Sequence, residues 1–240
     1  MGDPVGDFDG LADTLAEIIA GGGTQVPLRI CAACVAATPV AGAAVSVMGD
    51  GGVREIVCAT DELAGHLEEL QFTLGEGPCV EGFTEGRPVL VPDLTEVVDG
   101  RWPMFAAEAR RTPARALFVF PLQVGAVRAG VLDLYQLDPG PLGTADFRRA
   151  LMVADAAMWA LLDLRSRATL DGSRADRATG SLLRRPEVHQ ATGMVMVQLG
   201  IAAEVALARL RAFAFAADRP IDEVSREIIA RRLRLDEEKP

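Results

Sequence analysis

The side chains best suited to chemistry gather near the C-terminal end of the chain. Arg184, Arg185, Arg209, Arg211, Arg219, Arg226, Arg231, Arg232 and Arg234 would stand close together on any compact helical module. Guanidinium groups make bidentate phosphate contacts that ammonium groups cannot, and Lys239 is the sole lysine. A basic surface of this kind attracts a nucleic-acid backbone in a salt-dependent way. Bases are read by amides, hydroxyls and stacking groups, and Gln190 and Thr192, with His189 beside them, supply such groups. Gly193 and Ala191 would let RNA or a neighbouring helix approach closely. Phe213 and Phe215 lie roughly 200° apart around a helix, so one faces a core and the other is a candidate stacking ring. The alternative for the arginines is a solvated face with i,i+4 ion pairs. Codon usage in a GC-rich genome would also favour arginine over lysine.

A second constellation is Gly75-Glu76-Gly77-Pro78-Cys79. Two glycines permit positive φ beside a ligand cavity, and Gly75, Glu76, Gly77 and Cys79 form a candidate ligand-binding set. A tight turn between two elements would use the same residues. Cys79 is redox-active if a helix N-terminus lowers its pKa, and a small packing residue otherwise. Cys31-Ala32-Ala33-Cys34 has CxxC spacing, but it sits in an apolar helical run without a second pair. A four-ligand zinc site is therefore not expected, and no metal site is assigned. The chain has two histidines and no GxSxG, HExxH or P-loop sequence. No catalytic residue is assigned, and the chain reads as a non-enzyme.

Several elements must position these groups. Leu11, Leu15, Ile18 and Ile19 mark one helix face, and residues 27–38 continue with another helix. Two strand patterns, residues 43–48 and 53–58, flank Gly49-Asp50-Gly51-Gly52 as a hairpin. A short helix carries Leu63, Leu67 and Leu70, with His66 on its surface, and Val89-Leu90-Val91 is a short strand. Trp102 reads as a packing anchor. Residues 116–124 and 129–137 form a second hairpin of nearly continuous apolar runs, which places both strands inside a sheet. The fold class is α+β, an antiparallel sheet flanked by helices. Residues 144–170 are helical, with Phe147, Leu151, Ala154, Met158, Leu161, Arg165 and Ala168 at three- and four-residue steps. That repeat fits either a coiled coil or one helix packed on the sheet. After a polar hinge at residues 171–176, three helices (186–199, 203–217, 221–233) make a small all-α module.

Net charge is −10, with 50% of residues hydrophobic. Residues 1–173 carry −12, residues 174–235 carry +4 and the last five carry −2. The whole-chain value argues against a nucleic-acid partner, whereas its distribution points to two functions on one chain. No apolar run approaches the roughly 18 residues of a membrane span. The acidic start, Met1 to Gly10, lacks the pattern of a secretory signal, so a cytoplasmic location is expected.

The first part of the chain resembles a GAF sensor domain of the kind found in actinobacterial regulators. The resemblance rests on Gln71 to Leu94, Arg101 to Phe105 and Phe120 to Tyr135. The C-terminal helices resemble an ANTAR domain through Val188 to Gly200, Ala206 to Ser225 and Ile228 to Arg234. Thr192 stands where a lysine is frequent in that family and Ser225 where an alanine is usual. The resemblance implies a GAF domain with its linker helix over residues 7–170 and an ANTAR domain over residues 174–235. It further implies binding to hairpin loops of nascent transcripts, prevention of premature termination, and a homodimer that matches paired hairpins. RNA contacts would then fall to His189, Gln190, Thr192, Gly193, Arg209, Arg211, Phe213, Arg219, Arg226, Arg231 and Arg232. No cofactor is identifiable, and an unknown small molecule would be the ligand of the GAF half. Two other classes stay open: a reductase of free methionine sulfoxide using Cys58 and Cys79, and a DNA-binding regulator.

Overall fold

The computed structural model describes residues 4–48, 54–97, 100–170, 185–217 and 219–235. The expected hairpin tip at residues 49–52 and the hinge at residues 171–176 lie outside the described residues. Helices α1 (Pro4–Gly21) and α2 (Val26–Ala37) lead into strands β1 (Gly42–Met48) and β2 (Arg54–Ala59). Helix α3 (Glu62–Leu74) starts where the Asp61 carboxylate accepts from the Ala64 N–H at 2.9 Å. It stops at Gly75, whose φ of 68° is a left-handed cap. Pro78 opens α4 (Pro78–Glu85), and strand β3 (Val89–Val91) follows. Helix α5 (Pro103–Ala109) leads to β4 (Ala116–Val124), β5 (Val127–Gln136) and the 27-residue helix α6 (Thr144–Leu170).

The sheet runs β2-β1-β5-β4-β3 with every pairing antiparallel. As the unbroken apolar runs imply, β4 and β5 each have a neighbour on both sides. They are also covered on both faces. Phe118, Phe120, Leu132 and Leu134 pack with α1, α2 and α6. Leu117, Val119, Val131 and Tyr135 point the other way, toward α3, α4 and α5. The repeat along α6 is absorbed by this packing: Ala154, Met158 and Leu161 are buried in the first of these cores. Leu151 and Trp159 remain outside, the latter 57% exposed.

The helical module comprises α7 (Pro186–Leu199), α8 (Ala203–Ala216) and α9 (Ile221–Ile229). Val188, Ala191, Val195, Leu207, Leu210, Val224 and Ile228 form its core. Helix α9 ends earlier than residue 233 because Arg231 takes a left-handed φ of 57°. The Arg231 N–H then reaches the Ile228 carbonyl and the Arg232 N–H the Glu227 carbonyl, each at 2.9 Å, which closes the helix. Among the described residues no single helix is long and apolar enough to cross a membrane.

Tyr135, the chain's single tyrosine, donates to Asp61 at 3.0 Å and thereby ties β5 to the cap of α3. Burial, then the hydrogen bond to Asp61, pushes its pKa up to about 12. An ultraviolet titration of the native protein should give one phenol midpoint near that value; a midpoint at the ordinary value, about 10, would mean the pair does not form. Because the folded value is the raised one, the neutral phenol's contribution to stability is complete below about pH 10. It is lost as pH rises through about 12.

Candidate nucleic-acid interface

Helix α7 divides its circumference among three environments. Val188, Ala191 and Val195 face the module core. Gln190, Gly193 and Val197 share the opposite face, and Met194 borders it while packing in part on the core. They line a cleft of about 570 Å³ whose rim carries Gln198, Arg231 and Arg234. Val197 is 86% exposed, and a Cβ at Gly193 would meet open space, so this face is unobstructed. Amide groups, an apolar floor and two guanidiniums meet here. Such a set can contact phosphate, base edges and base faces together.

The third side of α7 meets the sheet half. His189 Nε2 lies 2.8 Å from Glu55 Oε1, and Glu55 is almost fully buried. Arg185 donates to Glu69 at 2.9 Å and lies 3.6 Å from Asp222. Its guanidinium stands 4.5 Å from the centre of the Phe72 ring, and that of Arg211 stands 5.0 Å from it. Phe72 belongs to α3, yet it is 2% exposed and packs within the module's core.

The other expected contacts are dispersed. Arg209, Arg226 and Arg232 are exposed. Arg219 is engaged by Glu223 at 2.7 Å and Glu227 at 3.1 Å, which hold its proton more tightly. Thr192 turns inward, its hydroxyl bonded to the Val188 carbonyl at 2.7 Å, because a threonine at mid-helix satisfies itself on the preceding turn. Phe213 packs against the module core while Phe215 is 49% exposed, so the available stacking ring is Phe215. Arg184 lies outside the described residues. Met194, Val197 and Gln198 were missed, although they follow Gln190 at helical spacing and the 3.6-residue period could have found them.

The glycine-rich loop of the sheet half borders a smaller cleft of about 220 Å³, shared by Gly75, Glu76, Gly77 and Trp102. Glu76 Oε1 accepts from the Met104 and Phe105 N–H groups at 2.7 and 2.8 Å, so its charge caps α5. Cys79 is fully buried, and its N–H donates to Gln71 Oε1 at 2.9 Å. Gln71 also donates to Glu68 at 3.2 Å, and Glu68 is bonded to Ser46 in the same interior. On the opposite face of the sheet, Cys31 and Cys58 sulfurs lie 3.7 Å apart. The contact with Cys58, then burial, raises the Cys31 pKa, and burial pushes Cys34 up to about 11.

Residues 28–161 match the GAF domain model and residues 176–229 match the ANTAR domain model. No curated protein matches the chain at a significant level. Among solved structures, it is similar to the GAF domain of a phosphoenolpyruvate-protein phosphotransferase from Coxiella burnetii. The TM-score is 0.56 at 13% identity, over 70% of this chain and 99% of that one. The corresponding domain from Acinetobacter gives 0.52 at 12% identity, over 69% and 97%. At these identities the likeness concerns the fold.

Arg231 holds a left-handed conformation that costs a non-glycine residue about 1–2 kcal/mol. Arg231→Gly should therefore stabilise the module by about 1 kcal/mol relative to Arg231→Ala, read from hydrogen exchange of α9 amides. Equal protection in the two variants would mean that the cap carries no strain.

Proposed function

Because the chain belongs to the GAF domain family and carries an ANTAR domain behind it, we propose that it is a transcription antitermination regulator. The helical module binds hairpin RNA, and the sheet half controls that binding in response to a signal. The observation that carries this reading is the open face of α7, where Gln190 and Gln198 meet Arg231 and Arg234 around an exposed Val197. Arg209, Arg226 and Arg232 extend the positive surface for backbone contacts, and Phe215 offers a ring to a splayed base. The small cleft beside Gly75 and Glu76 is where a signal molecule would enter the sheet half. The protein acts as a dimer, since paired hairpins require two modules at fixed spacing, and the outward Leu151 and Trp159 of α6 give a face for pairing.

The reductase reading is disfavoured by the placement of its two thiols on opposite faces of the sheet. Cys58 packs with α2 and Cys79 lies among the residues under α3, α4 and α5, so the two thiols it would require face opposite ways.

Full-length protein titrated with a two-hairpin RNA should bind with a steep dependence on salt. The Arg231→Ala, Arg232→Ala double variant should reduce that log–log slope by about two and weaken all RNA sequences alike. Equal competition by duplex DNA at matched salt would overturn the RNA reading in favour of a DNA-binding regulator.

A further inference from the structure

We propose that the face of the sheet half formed by Glu55, Glu69 and Phe72 is an internal competitor for RNA, holding Arg185, His189 and Arg211 of the module until RNA displaces it. The inference rests on the RNA-binding reading and specifies how that site is regulated. Three observations carry it.

The groups held are of the kind that contact a nucleic-acid backbone. Arg185 and Arg211 are guanidiniums, and the partners of Arg185 and His189 on the sheet half are carboxylates, which resemble phosphate in charge and in their oxygen acceptors. His189 precedes Gln190 in the chain and lies about 100° from it around α7, so the docked edge adjoins the open cleft. A ligand that spreads beyond the cleft onto that edge meets Glu55 and Glu69 first.

The docked groups are also withdrawn from solvent. The Glu55 side chain is 2% exposed and that of Arg185 is 12% exposed. A phosphate cannot reach His189 Nε2 at the position that Glu55 occupies. Binding there requires the two halves to separate.

The third observation links the latch to the smaller cleft. A Cβ placed on Gly75 would come within 3.1 Å of the Arg211 guanidinium, so the cap of α3 lies directly under the module. Gly75 also lines the cleft with Glu76, Gly77 and Trp102. A molecule bound in that cleft shifts the loop on which Arg211 rests, three residues from Phe72. Differential affinity of that molecule for docked and separated forms is all that control requires.

The test uses the full-length protein and the two-hairpin RNA, comparing E55Q/E69Q with E96Q/E108Q. Both double variants remove two negative charges, but Glu96 is exposed and Glu108 pairs with Arg111 of the sheet half. Small-angle scattering without RNA reads docking, and an RNA titration reads competition. E55Q/E69Q should expand the particle and tighten RNA binding about tenfold, while E96Q/E108Q changes neither by more than about twofold. E69R, at the more exposed carboxylate, is a second variant should burial at Glu55 compromise folding, and it should behave like E55Q/E69Q. The proposal is overturned if the particle expands with RNA affinity unchanged, if both charge-matched variants tighten binding equally, or if neither E55Q/E69Q nor E69R alters the scattering. Failure of every form to bind RNA would instead overturn the underlying RNA reading, and the proposal with it.

Discussion

A phenylalanine ring from one half of the molecule, seated in the core of the other between two arginines, fixes how the two halves meet. Phe72 lies in the last turn of a helix whose other buried apolar residues, Ala64 and Leu67, belong to the sheet core. Burying such a ring contributes about 1.5–3 kcal/mol, and each cation–π contact about 2 kcal/mol when desolvated, as that of Arg185 is. The cost of ordering the groups that meet offsets part of this gain. The remainder is what a ligand with different affinity for docked and separated forms has to work against.

Charge acts in the same direction. The first 173 residues carry −12 and the module +4, so the halves attract each other, and under the proposed function RNA would compete for the same positive groups. A net charge of −10 for the chain thus has two consequences. It leaves a module able to attract phosphate, and it supplies the internal anion that the proposed competition requires. The electrostatics is local, since screening limits exposed charges to about 8–10 Å at moderate salt.

Much of the fold was legible because its signals are local. The continuous apolar runs of β4 and β5 required burial on both faces, and caps such as Asp61 and Gly200 mark helix ends in the sequence itself. The coiled-coil alternative for α6 was undecidable from its repeat, because Ala154, Met158 and Leu161 serve a sheet as well as a partner helix. The site was legible by residue type and less so by direction. Thr192 and Gln190 are both polar and two apart on α7, yet one turns to the core and the other to solvent. Phe213 and Phe215 divide in the same way, and only the packing of α8 decides which is outside. The Glu55–His189 pair joins residues 134 apart. No spacing rule reaches such a contact.

Hydrogen exchange of the full-length protein with and without the two-hairpin RNA addresses the central claim most directly, since it reads both faces of α7 in one experiment. The account predicts added protection at residues 190–198 and 231–234, together with loss of protection at the end of α3 around Glu69 and Phe72. Protection confined to other segments, or RNA binding that leaves the α3 end as protected as before, would contradict it.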